Sequence, residues 1–176
     1  MPRYDLPNAA PEPLRLVQRF VNSVDEEHGR EWLPDREALD ALVGNHSPGA
    51  TQASEADLRL ALELRGSLRA LLRANNGAPV EGDVVGAVNL AASGLALRVG
   101  EDGVAHVASS DAPIDRILAV AFEAMLDGSW SRLKACRQCS WAFYDKSRNR
   151  SAVWCSMQIC GNRLKTRAYR RRRRSP

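Results

Sequence analysis

The chain has 176 residues, 44% of them hydrophobic, and a formal net charge of +4. That is enough apolar material for one domain with an appendage, and too much for wholesale disorder. No apolar run approaches the roughly 20 residues that cross a bilayer, and the opening MPRYDLPNAAPEP lacks the apolar stretch of a secretory signal, so a soluble, cytoplasmic protein is expected.

The net charge conceals a division. Residues 1–129 carry 11 Lys/Arg against 20 Asp/Glu, whereas residues 130–176 carry 14 Lys/Arg and a single acid, Asp145. Such asymmetry suggests two modules, 1–129 and 130–176, the second facing a polyanion. The opposed charges also allow the first to screen the second until a signal releases it.

In chain order, Pro11 and Pro13 precede a helix marked by Leu14, Val17, Val21 and Val24 at helical spacing, with Phe20 beside them. Asp25-Glu26-Glu27 reads as its solvated end. Pro34 and Asp35 open a short helix that Gly44 stops, and HSPGATQ (46–52) is a loop by composition. Ser54 with Asp57 resembles a capping box at the head of a long helix to Asn75, with Leu58, Leu62, Leu68 and Leu72 in its stripe. A helix near 83–93 follows, then a β-hairpin of 95–99 with 104–107 around Gly100-Glu101-Asp102-Gly103. Ile114, Ile117, Leu118, Ala121, Phe122 and Met125 line a last helix stopped by Gly128. His28, His46 and His106 have no carboxylate or cysteine at a telling spacing. Neither a hydrolase triad nor a histidine metal site is therefore expected, and the chain reads as a non-enzyme.

All four cysteines lie in the basic segment: Cys136-x2-Cys139, fifteen residues, then Cys155-x4-Cys160. Two short-range pairs joined by a hairpin-sized spacer suit one tetrahedral zinc ion held by four thiolates. Such a site is closed, so the metal is structural. A thioredoxin-like redox pair would leave Cys155 and Cys160 unexplained and needs a βαβ setting that is absent. Within the spacer, Trp141-Ala142-Phe143-Tyr144 reads as a strand, DKSRNR (145–150) as a turn and Ser151-Ala152-Val153-Trp154 as the returning strand. The metal and three nearby tryptophans, Trp130, Trp141 and Trp154, supply what so small a core cannot. After Cys160, good helix formers would place Arg163, Arg167, Arg170 and Arg174 on one face, with Leu164 and Ala168 turned toward the metal. Arg148 and Arg150 on the spacer turn add to the cationic field.

The run CRQCSWAFYDKSRNRS through VWCSMQICGNRLKTRAYRRR resembles the CGNR zinc finger, whose name matches Cys160-Gly161-Asn162-Arg163 here. Upstream, FVNSVD (20–25) and ELRGSLRALLRA (63–74) resemble the ABATE domain found with it. Relatives often carry a longer insertion in the first cysteine pair, and arginines where this chain has Ala152 and Val153. The combined expectation is a mostly α, α+β protein: a helical domain with a small β-hairpin, then a treble-clef-like or ribbon zinc finger with a basic C-terminal helix. The resemblance implies a bacterial transcription regulator whose finger binds DNA and whose first domain senses or regulates, with Asn22 and Arg65 as pocket residues.

DNA contacts are expected from Arg148, Arg150, Arg163, Lys165, Arg167, Arg170, Arg171 and Arg174, mostly to phosphates. The alternatives are RNA, with Phe143, Tyr144 and Tyr169 stacking on unpaired bases, or a small-molecule-binding or enzymatic N-terminal domain. A small-molecule effector and a second copy of the chain complete the expected partners; a membrane is not among them.

Overall fold

The computed structural model describes residues 8–46, 49, 51–80, 82–163 and 166. Among the described residues, five α-helices, α1 (Arg15–Val21), α2 (Arg36–Gly44), α3 (Glu55–Ala74), α4 (Gly82–Ala91) and α5 (Pro113–Leu126), are interspersed with three antiparallel two-stranded ribbons. The ribbons pair β1 (Val24–Asp25) with β2 (Arg30–Glu31), β3 (Ala96–Val99) with β4 (Ala105–Ala108), and β5 (Leu133–Ala135) with β6 (Ala142–Tyr144). The class is α+β. Among the described residues no helix is long and apolar enough to cross a membrane.

Local signals set most boundaries. The Asp35 carboxylate accepts from the Ala38 N–H at 2.9 Å and starts α2. Ser54 and Asp57 form the reciprocal capping box of α3, with the Ser54 N–H donating to Asp57 at 2.8 Å and the Asp57 N–H donating to Ser54 at 3.1 Å. Gly128, at φ 79°, turns the chain out of α5.

The expected continuation of the first helix to Val24 fails, and Asp25-Glu26-Glu27 is not a helix end. The chain leaves α1 at Val21 and turns into the β1–β2 ribbon. The Ser23 hydroxyl donates back to the Phe20 carbonyl at 2.7 Å. The Asp25 carboxylate, itself buried, accepts the N–H groups of Glu27 and His28 at 3.1 and 3.2 Å. Short polar side chains that satisfy nearby backbone groups compete with the helix, and here they win.

The spacer hairpin is also corrected. β6 pairs backward with β5, with Leu133 opposite Tyr144 and Ala135 opposite Ala142, so the ribbon encloses the first cysteine pair. Residues 151–154 form no strand. The carbonyls of Arg150 and Ala152 are taken instead by the Lys134 ammonium, at 2.6 and 3.2 Å.

β5 and β6 are buried on both faces, following the two-residue period of strands. Leu133, Ala135 and Ala142 join the helical core with Phe20, Leu68, Leu72, Ile117 and Leu118. Phe143 faces the other way, into a second cluster with the four cysteines and Trp141, against which Trp32 and Trp154 pack. Burying a side chain such as Leu133 contributes about 1.5–3 kcal/mol, so the finger is fused to the helices by core packing.

Candidate metal centre and the surface that holds it

Cys136 follows β5 directly, and Cys139 closes a tight turn whose next residue, Ser140, sits at φ 58°. The Cys136 N–H donates to the Trp141 carbonyl and the Ser140 N–H to the Cys136 carbonyl, both at 2.9 Å, which points the first two sulfurs inward. Cys155 precedes a single π-helical turn, Met157–Gly161, that contains Cys160, and the Ser156 carbonyl accepts the N–H groups of Cys160 and Gly161.

The four sulfurs lie within 4.8 Å of one another. Cys139 to Cys155 is 3.6 Å, Cys155 to Cys160 is 3.7 Å and Cys160 to Cys139 is 3.5 Å. These separations are far too long for disulfides, yet a tetrahedron of sulfurs at 2.3 Å from zinc has edges of about 3.8 Å. All four cysteines are nearly inaccessible. Without a cation such crowding holds protons on three of the four sulfurs. The adjacent Cys136 pushes the Cys139 thiol up to about 12 and raises Cys155 as well, and burial raises Cys160, while the contact from Cys139 lowers Cys136. Four thiolates coexist here only around a divalent ion. One structural zinc fits, with all four positions filled by sulfur and none open to water.

A buried ion pair shapes the loop between the cysteine pairs. Lys134 and Asp145 meet at 2.8 Å with both side chains buried. The other Asp145 oxygen accepts from the Ser147 N–H and hydroxyl at 2.9 and 2.6 Å. Burial raises the Asp145 pKa, but the Lys134 and Ser147 hydrogen bonds outweigh it and hold the carboxyl below its usual range. Asp145-Lys146-Ser147 was legible only as polar turn material; its Asx turn is what carries the chain toward Cys155.

The helical unit grips the finger through amides. Asn22 binds both backbone groups of Ala142, accepting its N–H at 2.7 Å and donating to its carbonyl at 2.9 Å. Asn75 donates to the Trp130 and Leu133 carbonyls, each at 2.8 Å, and Asn76 to those of Ala135 and Val153 at 2.8 and 3.0 Å. Read from the sequence, Asn75-Asn76 marked only the end of a helix. Trp32 meets Trp141 edge to face at 6.3 Å.

Asn22 and Arg65 are brought into one neighbourhood, since Arg65 donates to the hydroxyl of the adjoining Ser23 at 2.8 Å. Arg65 also forms a bidentate pair with Glu31, at 2.6 and 2.7 Å. It is the first of three α3 arginines. Arg69 pairs with Glu26 at 2.6 Å, and Arg73 joins the same carboxylate at 2.7 Å.

Among the expected cationic contacts, Arg148, Arg150 and Arg163 are exposed. Arg150 donates to Ser131 at 3.0 Å, and Arg163 pairs with Glu27 at 2.5 Å. Asn162, Arg163 and Thr166 are helical, while Leu164, Lys165, Arg167, Ala168, Tyr169, Arg170, Arg171 and Arg174 lie outside the described residues. Each histidine meets one carboxylate in space: His28 with Asp25, His46 with Glu12 and His106 with Asp102, at 2.8, 3.1 and 3.2 Å. The pairs belong to three different parts of the fold. Phe143, expected to stack on bases, is instead 1% exposed in the metal cluster.

A helical unit carrying a closed four-cysteine centre defines a protein with a structural zinc finger. Residues 14–128 match the ABATE family, described as "Putative stress-induced transcription regulator", and residues 132–173 match the CGNR zinc finger. The chain belongs to the ABATE family and carries a CGNR finger after that domain. No curated protein matches it.

Proposed function

We propose that this protein is a DNA-binding transcription regulator built from two units, 1–129 and 130–176, and that it is not an enzyme. The observation that carries the reading is the charge of the finger. Fourteen Lys/Arg stand against one acid in residues 130–176, and that acid, Asp145, is neutralised internally by Lys134. Arg148, Arg150 and Arg163 meet phosphates, joined by Lys165, Arg167, Arg170, Arg171 and Arg174 from the basic tail. Zinc takes no part in chemistry; it holds the cationic surface in shape. Duplex DNA is favoured over unpaired RNA because Phe143 is buried and Tyr144 half-buried against the core, which leaves few rings free for base stacking.

The helical unit is read as regulatory. Asn22 ties the helical unit to Ala142 of the finger, and Arg65 holds the β1–β2 ribbon through Ser23 and Glu31. A small apolar effector is better placed in the cleft of about 270 Å³ between α3, α4 and α5, walled by Val85, Val88, Phe122, Met125 and Trp130. The reading is tested by titrating zinc-loaded protein into duplex DNA and hairpin RNA over a range of salt. With about six phosphates neutralised, log affinity should fall with log salt at a slope of about −5. A slope near zero, or a preference for RNA, rejects it.

A further inference from the structure

A cleft of about 380 Å³ opens where the end of α3 meets the first cysteine turn. Arg73, Asn76, Arg137 and Ser140 supply its polar lining, Gly77 and Ala78 border it, and among the described residues no carboxylate lines it. Arg137 is exposed and has no acidic partner among the described residues. Its Nε and Nη2 both donate to the Asn76 carbonyl, at 2.9 and 2.7 Å, which fixes the guanidinium plane and leaves Nη1 unused by that bond. Gly77, at φ +91°, passes so close that an added Cβ would lie 3.0 Å from Arg137 Nη2. Across the cleft, Arg73 spends Nη2 on Glu26 and Ser140, at 2.7 and 2.8 Å, and keeps its Nε and Nη1. Ser140 accepts that bond, so its own hydroxyl proton is available to a guest.

Two arginines and a hydroxyl converging, with Glu26 shared between Arg73 and Arg69 and no acid on Arg137 among the described residues, favour an anion. The charges nearby narrow its kind. Glu26 answers Arg69 and Arg73 together, and the tetrathiolate zinc behind Cys136 carries −2. With Arg69, Arg73 and Arg137 set against Glu26 and that site, the nearby formal charges cancel, so a dianion is disfavoured more than a singly charged phosphodiester held by directed hydrogen bonds. The cleft also continues the surface of the finger. Arg163 pairs with Glu27, the neighbouring Glu26 pairs with Arg73, and Arg73 reaches Ser140 in the cysteine turn.

We propose that this cleft seats a backbone phosphodiester of bound DNA, so that α3 of the helical unit, through Arg73, joins Arg137 in the nucleic-acid interface. The inference rests on the DNA-binding reading and extends the contact surface beyond the finger's basic tail. It is tested with the full-length, zinc-loaded protein on a mixed-sequence DNA duplex. Arg137→Gln and Arg73→Gln should each weaken binding about three- to tenfold and reduce the salt slope by about 1. Arg137→Lys, which keeps the charge but not the fork on Asn76, should retain most of the affinity. Arg98→Gln, on the exposed β3–β4 ribbon, should leave affinity and slope unchanged.

If wild type binds with a steep slope and both glutamine variants match it, the cleft assignment fails while DNA binding stands. If wild type does not bind DNA, both fail. Zinc content and Tm accompany every variant, and should Arg137→Gln lose zinc, Arg73→Gln decides. Stabilisation by inorganic phosphate that Arg137→Gln abolishes, with DNA binding unchanged, would give the cleft to a free anion and overturn the proposal.

Discussion

Glu27 Oε1 lies 2.5 Å from Arg163 Nη1, joining the acidic turn between β1 and β2 to the first cationic residue after the last zinc ligand. The two side chains are 28% and 41% exposed. A pair so accessible contributes little to stability, about 0.2–1 kcal/mol. Its consequence lies in what it occupies: a carboxylate stands on a guanidinium that a phosphate would need.

Glu27→Gln should therefore change Tm little and raise DNA affinity, by up to about fivefold if the displaced pair is worth about 1 kcal/mol. The increase should shrink as salt screens the competing charge. Equal affinities for the variant and wild type at low salt would rule out screening of the finger by this turn.

Asn22 makes a different prediction from that of a ligand-pocket residue. Its amide is matched donor to acceptor with Ala142, whose N–H has no other partner among the described bonds. Asn22→Ala leaves that buried N–H unmet and should cost about 1–3 kcal/mol. Asn22→Asp keeps the acceptor but sets a carboxylate against the Ala142 carbonyl, and should cost at least as much. Thermal unfolding of the unliganded proteins measures both; an unchanged Tm would return Asn22 to the list of pocket candidates.

The sequence showed the helices with strong stripes and caps, α2, α3 and α5, because their signals are local. It also showed the metal centre, since spacing alone brings paired cysteines together. It did not show which partner β6 chooses. Leu133-Lys134-Ala135 is short and carries a lysine whose burial makes sense only once Asp145 and the Arg150 carbonyl surround it. Asn22, Asn75 and Asn76 were opaque for a similar reason: their partners are backbone groups about 55–120 residues away. Asp25-Glu26-Glu27 misled because a charged run normally marks a solvated helix end, whereas here each acid has a separate assignment to His28, to the α3 arginines and to Arg163.

Asp145 gives a pH prediction. Its folded pKa is lowered, so the unfolded chain binds the proton more readily. The stability it contributes is complete above the unfolded carboxyl pKa and is lost as pH falls through the folded one. Asp145→Asn removes this dependence and leaves the Lys134 ammonium buried without its countercharge, at a cost of about 3–5 kcal/mol near neutrality. The stability gap between wild type and variant, from denaturant titrations, should be widest near pH 7 and narrow in acid. A gap independent of pH would show that the carboxylate charge is not what holds the loop.

Zinc removal should reach beyond the finger. Leu133, Ala135 and Ala142 belong to the same apolar cluster as Phe20, Leu72 and Leu118, and the amides of Asn22, Asn75 and Asn76 end on finger backbone. Once the four sulfurs lose their ion, burial and mutual contact reprotonate Cys139, Cys155 and Cys160, and the ribbon they anchor loses its fixed register. Cys160→Ser, which removes a fully buried ligand, should abolish stoichiometric zinc and lower the Tm of the whole chain, not only of residues 130–176. Hydrogen exchange reads this directly: on chelation, amides in α1 and the C-terminal turns of α3 should lose protection along with β5 and β6, while α2, which has no amide bond to the finger, should lose less. Loss confined to the finger would mean that the shared core survives without the metal.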